Sequence, residues 1–195
     1  MVSFEPIPWL AAQLRDKFKH FRVAVHEMAL SNSVGEASFR INREVPSESG
    51  LQMRKDADTS SLVKVEVKVN RLDNYELDFV DFMKMDCEGA EMSVLEGAKA
   101  TIARCRPLVS VEYGWAGYSS YGLTRSSLYE WGAAQGYTVA DLFGYLLDDP
   151  KIYLQCVDRY YWDFFLVPNE RLPDIGERLR VGGSEVLSEI GQYRA

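Results

Sequence analysis

Two periods of apolar and polar residues alternate along this chain, and the switches between them lay out strands and helices. Val63, Val65, Val67 and Val69 alternate with Lys64, Glu66 and Lys68, a period of two that predicts a strand with one wet face. Val2-Ser3-Phe4 reads as the end of a strand that Pro6 stops. Pro8 then admits a helix with Leu10, Leu14, Phe18 and Phe21 as its buried stripe. Residues 21–31 read as one strand, and a turn at 31–35 leads into an antiparallel strand over 37–41, as in a hairpin. The run from Phe79 to Met85 predicts a short central strand covered on both faces. Beyond it Leu95, Ala98, Ile102 and Cys105, three and four apart, mark one face of a helix. Residues 107–113 make a second buried strand. Residues 124–136 predict a helix on Leu128, Trp131 and Ala134, capped by Thr124 and stopped by Gly136. Strands over 137–143 and 160–168 follow, with a peripheral helix over 184–190.

At 195 residues the chain is expected to be one domain, residues 1–195, with a polar flap at 42–61 and a peripheral tail at 169–195. A polar connection as long as 42–61 is often a functional lid. The net charge of −7, without a long basic run, argues against nucleic acid or an anionic membrane as the main partner. The first residues lack the basic start and apolar stretch of a signal peptide, and no run is long enough to span a membrane. Three cysteines without metal-ligand spacing fit reduced thiols, so a cytoplasmic protein is expected. The presence of only His20 and His26 argues against a His-based nucleophile triad or a multi-His zinc site, and His26 reads as a strand-face residue.

Candidate chemistry gathers where the central strand ends. Asp86, Glu88 and Glu91 crowd its carboxyl end, and the next strand ends in Glu112. In open α/β sheets that is where ligands bind. Gly89 lets the backbone bend there or lets something approach closely. Lys84, on a buried strand, needs a carboxylate partner, which Glu112 or Glu88 could supply. Glu91 reads equally as a first-turn acid favoured by the helix dipole or as a functional group. After Glu112, residues 113–122 hold four aromatics and three glycines, which either shape an acceptor pocket or simply cover the surface.

Several of these stretches carry a resemblance. Lys84-Met85-Asp86-Cys87-Glu88-Gly89-Ala90-Glu91, then Val94-Leu95-Glu96-Gly97-Ala98, then Arg106-Pro107 and Glu112, resemble the core signature of the FkbM family of methyltransferases. The resemblance implies a Rossmann-like class I methyltransferase sheet in three layers. It implies transfer of a methyl group from S-adenosylmethionine to a hydroxyl of a small molecule or glycan. Glu5, closing the second strand of that family, would bind the ribose hydroxyls, and Met28, Ala29 and Leu30 would lie beside the adenine. Asp86, with Glu112, would receive the hydroxyl proton or contact the cofactor, and Lys84 and Glu88 would support them. A divalent cation beside Asp86 and Glu112 is conceivable, but no metal is expected because a third ligand cannot be named. The family's sheet begins with a strand ending in Asp-x-Gly-Ala-Asn-x-Gly, and nothing in this chain matches it. The sheet is therefore expected to be incomplete at its N-terminus. An upstream start, a strand from a second chain, or a degenerate sheet without cofactor would each explain this. The last makes the alternative function a non-catalytic binding or scaffold remnant. An unpaired sheet edge also makes self-association an expectation.

Overall fold

The computed structural model describes residues 1–42, 44, 49–52, 62–159 and 161–176. The strands form three hydrogen-bonded groups. In the first, β1 (Val2–Phe4) pairs in parallel with β2 (Ala24–His26). In the second, β3 (Ala29–Leu30) runs parallel to β5 (Leu62–Asn70), whose other edge carries β4 (Gly35–Asn42) antiparallel. The third holds β6 (Phe82–Met85), β7 (Leu108–Glu112), β8 (Tyr137–Ala140) and β9 (Asp163–Pro168) in the order β6–β7–β9–β8. There β6 and β7 are parallel, while β9 is antiparallel to both its neighbours.

The helices are α1 (Pro8–Lys17), α2 (Glu91–Gly97), α3 (Lys99–Cys105), α4 (Trp115–Tyr118), α5 (Ser127–Ala134) and α6 (Pro150–Cys156). Leu95, Ala98 and Ile102 are buried, and with them Val109, Val111, Phe164 and Leu166 of β7 and β9 form the centre of the main core. Each large apolar side chain buried in this way contributes about 1.5–3 kcal/mol. A second cluster gathers Ile7, Ala29, Phe39, Ile41, Val67 and Val69 around the β3–β5–β4 sheet. The alternation read in β5 is observed: Val67 and Val69 are buried while Lys64, Glu66 and Lys68 face water.

Several expectations change. The stretch 21–31 is not one strand, because the chain turns after His26 (Met28 N–H donates to the His26 carbonyl, 3.1 Å) and passes from one sheet to the next. No hairpin joins β3 to β4, because β5 lies between them and pairs with both. The helix after Asp86 is interrupted at Ala98, where φ −114 and ψ 7 separate α2 from α3 on a still continuous apolar face. Asp73 caps the second piece, accepting from the N–H groups of Ala100 and Thr101 at 3.0 and 2.8 Å. Phe21 is exposed, so α1 ends short of it. Thr124 does not cap α5; its own N–H donates to Ser127 Oγ. The strand β6 is not covered on both faces: Phe82 is 53% exposed and Phe79 74%, because β6 lies at the edge of its sheet.

Of the expected tail, Ile175 packs against Ala140 and Val167. The helix expected over 184–190 lies outside the described residues, as does most of the flap. The described part of the flap returns onto β4, where Arg40 and Gly50 exchange backbone hydrogen bonds at 2.9 and 3.0 Å. A Cβ at Gly50 would lie 3.6 Å from that of Glu88, so this segment borders the acid turn.

Candidate active site

The parallel register Met85↔Val111 carries the next residues of both strands, Asp86 and Glu112, to neighbouring positions. Asp86, Glu88 and Glu112 each place a carboxylate oxygen within 4.8 Å of the others. That arrangement supplies the third oxygen donor the sequence did not identify. These three are therefore the residues that could hold a hard cation.

The turn bearing Glu88 is held from inside. Ala90 N–H donates to the Cys87 carbonyl at 3.2 Å, and both central residues adopt positive φ, Glu88 at 53° and Gly89 at 100°. A left-handed glutamate costs about 1 kcal/mol or more. Glu91 offsets that cost. Its carboxylate, 2% exposed as a residue, accepts from the N–H groups of Cys87 (2.6 Å) and Gly89 (3.2 Å). Glu91 is thus the brace of the turn, a role beyond that of a first-turn acid. Burial pushes its carboxyl up to about 6 against the opposing effect of these bonds. The Cys87 thiol, packed against the core, is pushed up to about 12 by burial and by the Glu91 charge, so it is no nucleophile.

Gly89 has a neighbour that requires it. A Cβ there would sit 2.6 Å from the Gly117 carbonyl oxygen, and a Cβ on Gly117 would sit 2.9 Å from the Gly89 Cα. Two glycine backbones therefore lock the aromatic loop onto the acid turn. Asp158 holds the same loop from the other side, accepting from Trp115 N–H (2.7 Å) and the Tyr118 hydroxyl (2.6 Å). Trp162 lies against Gly114, where a Cβ would meet its ring at 2.8 Å, and lines a narrow cleft together with Glu88 and Glu112. Sequence reasoning missed Asp158 and Trp162. Both reach the site through the antiparallel β7–β9 pairing and its loop, a long-range contact that no local pattern announces.

The crowding has an electrostatic consequence. The half-buried Glu112 carboxyl is pushed up to about 8, first by burial, then by its hydrogen bond with Asp86 and the negative charges of Asp86, Glu88 and Glu91. The raised Glu112 carboxyl therefore keeps its proton into the neutral range, where it hydrogen-bonds Asp86. Lys84 is not where its expected partnership required. Its side chain is exposed, and its ammonium pairs with Asp86 (3.3 Å) and Asp163 (3.9 Å) instead of Glu112 or Glu88. The reason is the edge position of β6, which leaves the lysine in water.

Glu5 follows β1 and accepts the Ile7 N–H on Oε1 at 2.8 Å, while burial raises its carboxyl above the ordinary range. Of the adenine candidates, Ala29 is buried in the second cluster, and the sulfur of Met28 accepts a hydrogen bond from the Tyr75 hydroxyl. Leu30 packs against the main core. His26 stacks on Phe4 with ring centroids 5.2 Å apart, as a strand-face residue.

Parallel strands ending in adjacent acids, in a sheet whose later strands turn antiparallel, define a Rossmann-like α/β protein with a carboxylate cluster at its strand ends. The chain belongs to the FkbM methyltransferase family: residues 1–139 match the Methyltransferase FkbM domain. The crystal structure of Methyltransferase FkbM from Methylobacillus flagellatus KT superposes with a TM-score of 0.52 at 16% identity. That match covers 85% of this chain and 36% of the other, so this chain spans about a third of that relative's length. No curated protein matches this chain. Among the described residues no helix is long and apolar enough to cross a membrane.

Proposed function

We propose that this chain serves methyl transfer from S-adenosylmethionine to a hydroxyl oxygen of a small molecule or glycan. The observation that supports this reading best is the Asp86–Glu112 pair, two hydrogen-bonded carboxyl groups at adjoining strand ends, with Trp162 lining the same cleft as Glu112. S-adenosylmethionine, when bound, supplies a methyl group on a sulfonium that an oxygen nucleophile can attack. The residues have the remaining work, which is to orient the acceptor and take its proton. Asp86 receives the hydroxyl proton, with Glu112 holding the second position of the dyad. Glu88 faces the same cleft, and Lys84 steadies Asp86. Trp162 and the locked loop present apolar surface to the acceptor. Glu5 fits a ribose: one carboxylate oxygen is committed to Ile7, which fixes the group and leaves the other to accept from a diol. Met28 and Leu30 are the residues that would flank the adenine.

A second reading is favoured by one observation, that among the described residues no strand pairing joins the β1–β2 pair to the four-stranded sheet. On this reading the chain is a binding or scaffold protein without cofactor. Titration calorimetry with S-adenosylmethionine separates the two. Saturable heat supports the methyltransferase, and its absence at millimolar ligand supports the scaffold.

A further inference from the structure

We propose that Trp162 is the gate of the cleft that holds Glu88 and Glu112. Its indole closes the cleft in this structure, and the acceptor enters when the ring swings off Gly114. This rests on the reading of the cleft as the place where the acceptor binds.

The cleft is too small to receive an organic acceptor as it stands. Its volume is about 10 Å³, room for roughly one water. Pockets that hold organic ligands run to about 300–1,000 Å³. Some part of the lining must therefore move.

Most of the lining is held. The turn bearing Glu88 is braced by Glu91, which accepts from the N–H groups of Cys87 and Gly89. Glu112 ends β7, which is paired on one side with β6 and on the other with β9. Ala116 and Gly117 belong to α4, which Asp158 holds at the Trp115 N–H and the Tyr118 hydroxyl, and Gly117 is seated on Gly89. Lifting α4 would also bring the buried Ala116 and Tyr118 into water, at a cost in apolar burial.

Trp162 differs from these. Its backbone is fixed, since its carbonyl accepts from the Tyr113 N–H, but the residue as a whole is 41% exposed. Exposed side chains change rotamer in picoseconds to nanoseconds, and such a turn breaks no backbone hydrogen bond. The ring lies over Gly114, where a Cβ would stand 2.8 Å from Cδ2 and 2.9 Å from Cγ of the indole. The three atoms nearest to that Cβ all belong to Trp162. The backbone of Gly114 is extended, with φ −122 and ψ 156, a conformation open to any residue. The missing Cβ therefore serves the closed indole and not the backbone.

Carboxyl labelling of the full chain tests the gate with neither methyl donor nor acceptor. The probes are a water-soluble carbodiimide and glycinamide, and mass spectrometry reads the rate at Glu112. Gly114→Ala should raise that rate about tenfold or more, since its methyl group displaces the indole from a closed state that leaves about 10% or less of the molecules open. Trp162→Ala should raise it as much, and Trp162→Phe, with its smaller ring, by less. The phenylalanine variant serves where the alanine variant fails to fold. Labelling of the wild-type protein no slower than that of the tryptophan variants overturns the proposal. A Gly114→Ala rate equal to that of the wild type overturns it too. Either result leaves the methyl-transfer reading to calorimetry with S-adenosylmethionine, and a calorimetric failure leaves the labelling result intact.

Discussion

The four-stranded sheet and the β1–β2 pair are built of similar residues and are held very differently. In the larger sheet Val109, Val111, Phe164 and Leu166 are all 0% exposed, and helices α2, α3 and α5 bring Leu95, Ile102 and Leu128 against them. In the β1–β2 pair no residue is fully buried, and Phe4 and His26 rely on stacking with each other and with Tyr75. The contrast separates the candidate site into a stable part and a weak one. Asp86 and Glu112 stand on the first, Glu5 on the second. The chain has invested its packing where the dyad is positioned, and it leaves the ribose candidate on a two-stranded ribbon of a kind that is marginal alone.

The largest test of that contrast lies at a seam between α2 and the loop after β3. Gly97 closes α2, and a Cβ there would fall 2.0 Å from the Ser31 carbonyl oxygen, a backbone atom that cannot swing aside. Gly97→Ala is expected to destabilise the protein by about 3 kcal/mol, as overpacking against backbone does. Hydrogen exchange should show where the loss falls. Amides of β1, β2 and β3 should lose protection first, while β7 and β9 keep theirs. Uniform loss across both parts would mean that they form one cooperative unit and would break the comparison.

This seam also shows what the sequence could and could not disclose. The Leu-x-Gly-Ala and Ala-Leu-Ser segments are visible as separate signatures, but nothing local says that Gly97 exists to receive Ser31. The acids followed the same rule. Asp86 and Glu112 were legible because each ends an apolar run, and parallel neighbours bring such ends together. The edge position of β6 was not legible. An apolar run such as Phe79 to Met85 looks the same whether its second neighbour is present or absent, so Lys84 was placed in the interior and assigned the wrong partners. Glu91 was readable as a helix-start acid or as a functional group but not as a brace, because its bonds to Cys87 and Gly89 depend on a left-handed turn with glutamate at its first central position.

The stable part is strained by charge, and Glu112→Gln measures how much. The folded carboxyl is raised from the ordinary 4.5 to about 8, so the folded protein holds this proton more tightly than the unfolded chain. The resulting stability is fully present below about 4.5 and is lost as pH rises through about 8. Glutamine does not ionise, so the variant should lack this slope. At a half-buried site, after discounting for solvent screening, the gain above pH 8 is expected to be about 1 kcal/mol. Chemical denaturation at several pH values checks it. The same variant should lose methyl transfer if the dyad takes the acceptor's proton. A variant both more stable at alkaline pH and fully active would detach the electrostatic crowding from the chemistry.

The smallest effect on stability is expected in the weak part, and it is the most discriminating. The Glu5 carboxylate accepts a hydrogen bond from the Ile7 N–H, and glutamine can make the same bond through its side-chain oxygen. Glu5→Gln should therefore change stability by less than about 0.5 kcal/mol, as at a site with few buried contacts. A ribose diol distinguishes the two side chains, because two hydroxyl donors favour a charged acceptor over an amide whose second atom is itself a donor. Binding of S-adenosylmethionine should weaken by about tenfold, the effect of losing one charge-assisted hydrogen bond. Unchanged affinity would remove Glu5 from the site and leave the β1–β2 pair with a structural role alone. A large loss of stability would instead show that the ribbon depends on this carboxylate, and the division into a stable and a weak part would need to be redrawn around it.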